Sequence, residues 1–164
     1  MRREFGRVIT ELAEKDKDVI LVVGDIGYRI FDDFRGKFSD RFFNFGICEQ
    51  SMIGAASGMA LEGLKPYVYT ITPFLIERPF EQIKLDVNQQ RANVKLVGYA
   101  DYPLGGQTHA EVDAQGLMKL LKNIKSYYPS NSEETRRMLY EMSEINGPCF
   151  ISLKGDKNYK ARER

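Results

Sequence analysis

The sequence has 164 residues, 43% hydrophobic and 29% charged, which fits one compact domain over residues 1–164 with a basic tail from about residue 156. The net charge of +1, from 24 Lys and Arg against 23 Asp and Glu, argues against a nucleic-acid partner. No stretch reads as a signal peptide or a membrane span, and Cys48 and Cys149 are too far apart for a metal motif. We therefore expect a cytoplasmic protein with reduced thiols and no membrane partner.

Strand and helix patterns alternate along the chain. The run Val19 to Val23 is typical of a strand buried on both faces of a parallel sheet. The patterns predict helices over residues 4–15, 49–61, 77–90, 109–121 and 131–146, and strands over residues 19–23, 41–45, 66–71, 94–97, 124–128 and 149–153. This alternation predicts an α/β fold, a three-layer sandwich on a mostly parallel sheet, with sites at the carboxyl ends of the strands.

Glu49 opens a predicted helix after a short strand, where a carboxylate stabilises the helix through its dipole. The surrounding residues 41–60, RFFNFGICEQSMIGAASGMA, resemble the pyrimidine-binding domain of transketolases and of the related 1-deoxyxylulose-5-phosphate synthases. The resemblance continues over residues 65–86, 105–109 and 148–154. It implies the fold of a thiamine diphosphate-binding pyrimidine domain, with thiamine diphosphate as the cofactor. In the family, the matching glutamate is catalytic: it hydrogen-bonds N1′ of the aminopyrimidine and favours the imino tautomer that takes the C2 proton.

Residues 72–82, TPFLIERPFEQ, resemble the family segment that packs on the aminopyrimidine ring. Phe74 matches a ring-stacking aromatic, and Phe80 falls where the family has Tyr or Phe. Arg78 matches an arginine of the deoxyxylulose-phosphate synthase pattern, and Ile47 precedes Glu49 in the cofactor segment. The resemblance thus implies cofactor contacts for Ile47, Glu49, Phe74, Arg78 and Phe80. The alternative interpretation is core packing for the two phenylalanines and a surface position for Arg78.

The only histidine, His109, ends residues 105–109, GGQTH, which resemble the Asp-Gly-x-Thr-His segment of the family. A lone histidine is more often structural, but the resemblance implies a catalytic, substrate-binding imidazole near the donor oxygens. The family aspartate is replaced by Gly105, and the preceding loop over residues 99–104 is shorter than usual. Asp101 is a candidate substitute for that aspartate. These departures argue against the usual pentose-phosphate substrates.

Lys154 falls where transketolases place an arginine that binds the substrate phosphate. A lysine binds phosphate as a point charge, without the bidentate fork, and it is equally common as a solvated residue at a strand end. Asp25 and Tyr28 follow the strand over residues 19–23. We predict that both approach the substrate or the cofactor.

The sequence lacks the Gly-Asp-Gly segment through which the family binds diphosphate and its metal, and we assign no metal ligand to this chain. It ends where the third domain of the family would begin. The expectation is therefore the pyrimidine-binding subunit of a split transketolase, which transfers a two-carbon ketol unit between sugar or sugar-phosphate substrates. A diphosphate-binding subunit would hold Mg²⁺ (or Ca²⁺), in a heterotetramer with two copies of each subunit. The alternatives are a subunit of another thiamine diphosphate enzyme, deoxyxylulose-phosphate synthase-like or an oxoacid dehydrogenase or decarboxylase, and a non-catalytic regulatory remnant.

Overall fold

The computed structural model describes residues 1–101, 106–110 and 112–155. Within these ranges the strands are β1 Val19–Val23, β2 Phe42–Asn44, β3 Lys65–Ile71, β4 Lys95–Tyr99, β5 Lys125–Tyr127 and β6 Cys149–Leu153. The α-helices are α1 Arg2–Lys15, α2 Asp32–Lys37, α3 Glu49–Leu61, α4 Thr72–Ile76, α5 Phe80–Gln82, α6 Ala114–Met118 and α7 Ser132–Glu144. A π-helical segment, Ile83–Gln89, continues α5, and 3₁₀ turns lie at Ser39–Arg41 and Gln107–His109. The predictions that rest on Gly105, on residues 102–104 and on the basic tail lie outside the described residues.

All six strands of the described sheet run parallel, in the order β2-β1-β3-β4-β6-β5. Every residue of β1 is buried, as expected of a strand with helices on both of its faces. Because the strands are parallel, their carboxyl ends meet at one edge of the sheet, which we call the carboxyl edge. The predicted α/β fold with a mostly parallel sheet is confirmed.

The alternating side chains of β1 contribute to two separate cores. Leu21 and Val23 pack in the cluster that contains α1 and α7, whereas Ile20 and Val22 pack in the cluster that contains α3. This division follows from the geometry of a strand, in which successive side chains point to opposite faces. The helices and the sheet therefore form the predicted three layers, with an α1/α7 face and an α3 face.

The helix predicted over residues 77–90 is wrong in extent. The chain instead forms α4 directly after β3, turns over residues 77–79, and resumes as α5 with its π-helical continuation. Pro79 lies in this turn; it has no backbone N–H to donate, and it disfavours a helical conformation at the residue before it. The turn places Arg78 between two short helices rather than on the surface of a long one.

The helix predicted over residues 109–121 is also shorter than expected. It begins at Ala114, because the side chain of Asp113 caps it by accepting a hydrogen bond from the backbone N–H of Gly116 at 2.8 Å. His109 lies before it, in a 3₁₀ turn. In the described ranges, no helix is long and apolar enough to cross a membrane.

Asn131 and Glu134 have the spacing of a capping box, which predicts reciprocal hydrogen bonds at the N-terminus of α7, and the structure differs from this prediction in one contact. The side chain of Asn131 accepts a hydrogen bond from the N–H of Glu134, as its capping pattern predicts. The carboxylate of Glu134, however, accepts from the backbone N–H and the hydroxyl of Ser130 rather than from the N–H of Asn131. The reciprocal capping contact is therefore displaced by one residue.

Candidate functional site

The predicted site residues follow successive strands at the carboxyl edge, where parallel α/β sheets form their sites. The structure arranges most of them in three groups. The first contains Glu49, Arg78, Phe74 and His109, the second contains Asp25 and Tyr28, and the third contains Asp101 and Lys154.

Glu49 is the first residue of α3, and its side chain is only 4% exposed. The chain reaches this position through Gly46, whose φ of +70° lies in the left-handed region that glycine adopts without steric penalty. One carboxylate oxygen of Glu49, Oε1, accepts a hydrogen bond from Nη1 of Arg78 at 2.9 Å. The arginine and the helix N-terminus both offset the unfavourable burial of this charge.

Phe74 links Arg78 to His109. The guanidinium carbon of Arg78 lies 3.3 Å from the centroid of the Phe74 ring, a cation–π contact. The ring of His109 meets Phe74 edge to face, with centroids 4.9 Å apart and planes inclined by 61°. Nδ1 of His109 lies 3.1 Å from the hydroxyl of Thr108, which constrains the orientation of the imidazole. The four predicted residues thus form one continuous chain of contacts, from the buried acid to the histidine.

A cleft with a volume of about 490 Å³ opens beside Glu49; its lining residues are Ile47, Cys48, Glu49, Gln50, Ser51 and Arg78. Ile47 is 66% exposed and gives the cleft an apolar wall beside the buried carboxylate. An apolar surface with a few convergent polar groups is the usual character of a small-molecule site. The arrangement can orient a flat ring that donates a hydrogen bond to Glu49.

Asn44, the last residue of β2, joins two loops of the carboxyl edge and was missed in the sequence. Its Oδ1 accepts hydrogen bonds from the backbone N–H groups of Asp25 and Gly46, each at 3.0 Å. Its Nδ2 donates to the carboxylate of Asp25 at 3.2 Å, and this network fixes the orientation of the amide. Tyr28 is 80% exposed, with its hydroxyl 3.5 Å from Asp25. Asn44 therefore holds the loop after β1 against the loop that leads to Glu49.

Replacing Asn44 by alanine is expected to speed backbone amide exchange at Asp25 and Gly46 about fivefold, because each N–H loses a hydrogen bond that contributes about 1 kcal/mol. Native-state hydrogen exchange measures this change. The matched control is Asn123→Ala, since Asn123 is another asparagine whose side chain bonds to a residue distant in sequence, donating to the backbone carbonyl of Asn88. Unchanged amide exchange at Gly46 in the Asn44→Ala variant would show that the side chain of Asn44 does not hold the loop that leads to Glu49.

Asp101 and Lys154 line a second cleft, of about 750 Å³, at the ends of β4 and β6. The carboxylate of Asp101 accepts a hydrogen bond from the backbone N–H of Gly155, so it is tied to the end of β6. Lys154 is exposed and contributes a cation to this cleft. The two clefts share no described lining residue.

Phe80 lies apart from the three groups. It is partly buried and packs against the core on the α3 face, with neighbours such as Ile83 and Val87 in the same cluster. Its contact with a cofactor stays a prediction. Over residues 1–101, 106–110 and 112–155, no group of three or more His, Cys, Asp and Glu side chains is placed to hold a metal ion.

The sequence of this chain is similar to those of a known protein family. Residues 1–158 match the family model described as transketolase, pyrimidine binding domain. A subunit of the apulose-4-phosphate transketolase of Actinobacillus succinogenes is 39% identical over 125 residues, which cover 74% of this chain and 40% of that protein. The 1-deoxy-D-xylulose-5-phosphate synthase of Desulfitobacterium hafniense is 31% identical over 153 residues, which cover 90% of this chain and 24% of that protein.

A solved structure described as a split gene transketolase, inactive beta4 tetramer, is similar with a TM-score of 0.84 and 30% sequence identity. The match covers 93% of this chain and 50% of that one. This chain therefore spans half or less of the length of each of these proteins.

Proposed function

Because the chain belongs to the transketolase family through its pyrimidine-binding domain, we propose that it is the pyrimidine-binding subunit of a thiamine diphosphate-dependent transketolase. The observation that carries the proposal is the buried carboxylate of Glu49, which opens α3 at the carboxyl edge and is joined through Arg78 to the ring of Phe74. A buried acid in a cleft at such an edge is typical of a functional group rather than of a solvated helix end.

The residues of the cleft beside Glu49 fit an aminopyrimidine. The carboxylate can bind one edge of the ring, and Ile47 offers an apolar wall. Phe74, which lies against Arg78 and outside the lining of the cleft, offers an aromatic face. Bound thiamine diphosphate supplies the nucleophilic carbon that attacks a carbonyl group. Glu49 would control the proton at the ring nitrogen N1′, which is what activates this carbon, and Phe74 and Ile47 would orient the ring and exclude water from it.

We assign the contacts with the substrate to the other predicted residues, which are His109, Lys154, Asp101, Asp25 and Tyr28. His109 contacts Phe74, and its imidazole can donate a hydrogen bond to a substrate oxygen or accept one from it. Lys154 provides a cation for an anionic end of the substrate, in the cleft that Asp101 also lines. Asp25 and Tyr28 lie at the end of β1, where they extend the same edge. These roles are part of the proposal.

We assign the diphosphate and its Mg²⁺ (or Ca²⁺) to a separate subunit. The names of two relatives, one a subunit of a transketolase and the other a split gene transketolase, support a divided enzyme. The description of the latter as an inactive beta4 tetramer supports a requirement for the second subunit. A heterotetramer with two copies of each subunit would place two equivalent sites around a two-fold axis.

The proposed reaction is transfer of a two-carbon ketol unit between sugar or sugar-phosphate substrates, supported by the 39% identity to a subunit of apulose-4-phosphate transketolase. A deoxyxylulose-phosphate synthase-like reaction is the second candidate, supported by the 31% identity to such a synthase. The two reactions differ in their donors, which are a ketose phosphate and pyruvate respectively.

The test is reconstitution with a diphosphate-binding transketolase subunit encoded beside this chain, in the presence of thiamine diphosphate and Mg²⁺. We expect the mixture to turn over a ketose-phosphate donor, while each subunit alone stays below detection. Turnover with pyruvate as the donor, but not with a ketose phosphate, would favour the second candidate. Activity of this chain without the partner would contradict the divided site.

A further inference from the structure

The guanidinium of Arg78 makes both of the contacts that the proposed function gives to the aminopyrimidine ring. Its Nη1 donates to the buried carboxylate of Glu49 at 2.9 Å, and its Cζ lies over the Phe74 ring, 3.3 Å from the ring centroid. A guanidinium is flat, carries N–H donors along its edge and stacks on aromatic rings, as an aminopyrimidine does. We propose that Arg78 is an internal stand-in for the cofactor ring, which occupies the pyrimidine position in the free chain and leaves it when the cofactor binds. This inference rests on the proposed function.

The guanidinium of Arg78 already occupies one face of the Phe74 ring. Phe74 is partly buried against the core on the α1/α7 face, and His109 approaches the ring edge to face. Arg78 lines the cleft beside Glu49, whereas Phe74 is not among the described residues that line it; the guanidinium that covers the ring accounts for this difference. A ring that stacks on this face must displace the guanidinium, because stacked groups meet at van der Waals distance.

Arg78 is also placed where its side chain can leave without unfolding its surroundings. It lies in the turn between α4 and α5, outside any helix, and its side chain is 34% exposed. Its backbone carbonyl accepts a hydrogen bond from Nε2 of Gln50 at 3.3 Å, which holds the main chain while the side chain moves.

In the unliganded chain, the guanidinium of Arg78 stabilises both Glu49 and Phe74. A buried carboxylate without a cation or a hydrogen-bond donor is strongly unfavourable, and an uncovered aromatic face invites non-specific contact. The guanidinium satisfies Glu49 and covers Phe74 until the cofactor replaces it in both contacts. Cofactor binding therefore competes with an intramolecular contact, which lowers the apparent affinity of the free chain for the ring.

The competition is measured by titrating the full chain with the free cofactor ring, 4-amino-5-hydroxymethyl-2-methylpyrimidine, in a calorimeter and by NMR. Arg78→Met removes both contacts of the guanidinium and is expected to bind this probe about tenfold more tightly than the wild type. Arg78→Lys keeps a cation for Glu49 but cannot stack flat on Phe74, so we expect an intermediate gain in affinity for the probe. This variant replaces Arg78→Met in the test if the methionine variant does not fold. Arg137→Met is the matched control, since Arg137 is another glutamate-paired arginine, on α7, and it should bind as the wild type does.

A second readout follows Arg78 itself. In the wild type, saturation with the probe should move the Nε–H signal of Arg78 to that of a solvent-exposed arginine. Equal or weaker probe binding by both Arg78 variants, an unmoved Arg78 signal, or no detectable binding by any variant would overturn the inference, because an emptied site must bind better than a filled one.

The failure of this inference can be told apart from failure of the proposed function. Suppose that Glu49→Gln and Phe74→Ala abolish probe binding while the Arg78 variants bind no better than the wild type. The inference about Arg78 is then wrong, but the proposed cofactor site at Glu49 and Phe74 is supported. If neither Glu49→Gln nor Phe74→Ala changes probe binding, the ring does not bind at this site and the proposed function itself fails.

Discussion

Replacing Glu49 by glutamine is expected to lower kcat of the assembled enzyme by about 10²–10⁴-fold, the usual contribution of a positioned acid or base. Glutamine preserves the size of the side chain but removes the carboxylate that controls the proton at N1′. In the chain without cofactor, it also leaves Arg78 without the anion that it contacts at 2.9 Å. Ketol transfer at saturating cofactor and donor measures the effect, so that a change in cofactor affinity is not mistaken for a change in turnover.

The control for this substitution is Glu62→Gln. Glu62 is exposed and follows the last residue of the same helix, α3, at the end opposite to Glu49. Its replacement should leave kcat within about twofold of the wild type, since surface substitutions away from special contacts have small effects. Near-normal turnover by a correctly folded Glu49→Gln variant would remove the catalytic assignment.

Replacing Lys95 by methionine is expected to lower the free energy of unfolding by about 2–6 kcal/mol. Lys95 opens β4 with only 1% of its surface exposed, and its Nζ donates to the carbonyls of Ile145 and Gly147, each at 2.7 Å. Methionine fills a similar volume but removes two hydrogen bonds, each contributing about 1–3 kcal/mol. The carbonyl of Ile145 keeps the N–H of Gly147 as a donor at 3.1 Å, and the carbonyl of Gly147 keeps only the weak donor Sγ of Cys149 at 3.9 Å. Such a loss is a large part of the 5–15 kcal/mol that is typical of a folded domain.

Urea denaturation followed by circular dichroism measures this loss. Lys84→Met is the control, because Lys84 is exposed in the π-helical segment that follows α5 and should change the unfolding free energy by less than about 0.5 kcal/mol. If the two methionine variants unfold at the same urea concentration, the carbonyls of Ile145 and Gly147 must find other donors, and Lys95 does not stabilise the contact between β4 and the segment that follows α7.

The regular elements of the fold could be predicted where the apolar pattern was long enough. The run over residues 19–23 and the helix over residues 49–61 match the observed bounds of β1 and α3. Gly63, a residue of the type that commonly ends a helix, adopts a φ of +91° after α3. By contrast, α4 has only five residues, too few to show a helical period, and its Pro73 reads as a helix breaker although it lies in the first turn, where proline is tolerated.

The site was predicted residue by residue, but its internal contacts were not. The sequence pointed to Glu49, Phe74 and Arg78 through separate segments. Their meeting depends on the turn over residues 77–79, which the predicted long helix concealed. Asn44 was missed because its importance lies in hydrogen bonds to loops that are distant in sequence, and no local pattern reveals such contacts.

Proton exchange tests the claim that Glu49 activates a cofactor whose diphosphate is held by a second subunit. NMR measures the rate at which the C2 proton of thiamine diphosphate exchanges with deuterium in the presence of this chain, of its partner, and of both. We predict rapid exchange only with both subunits, and a rate at least about 10²-fold lower when the chain carries Glu49→Gln. Equal exchange with wild-type and Glu49→Gln chains, or rapid exchange with the partner alone, would contradict the claim.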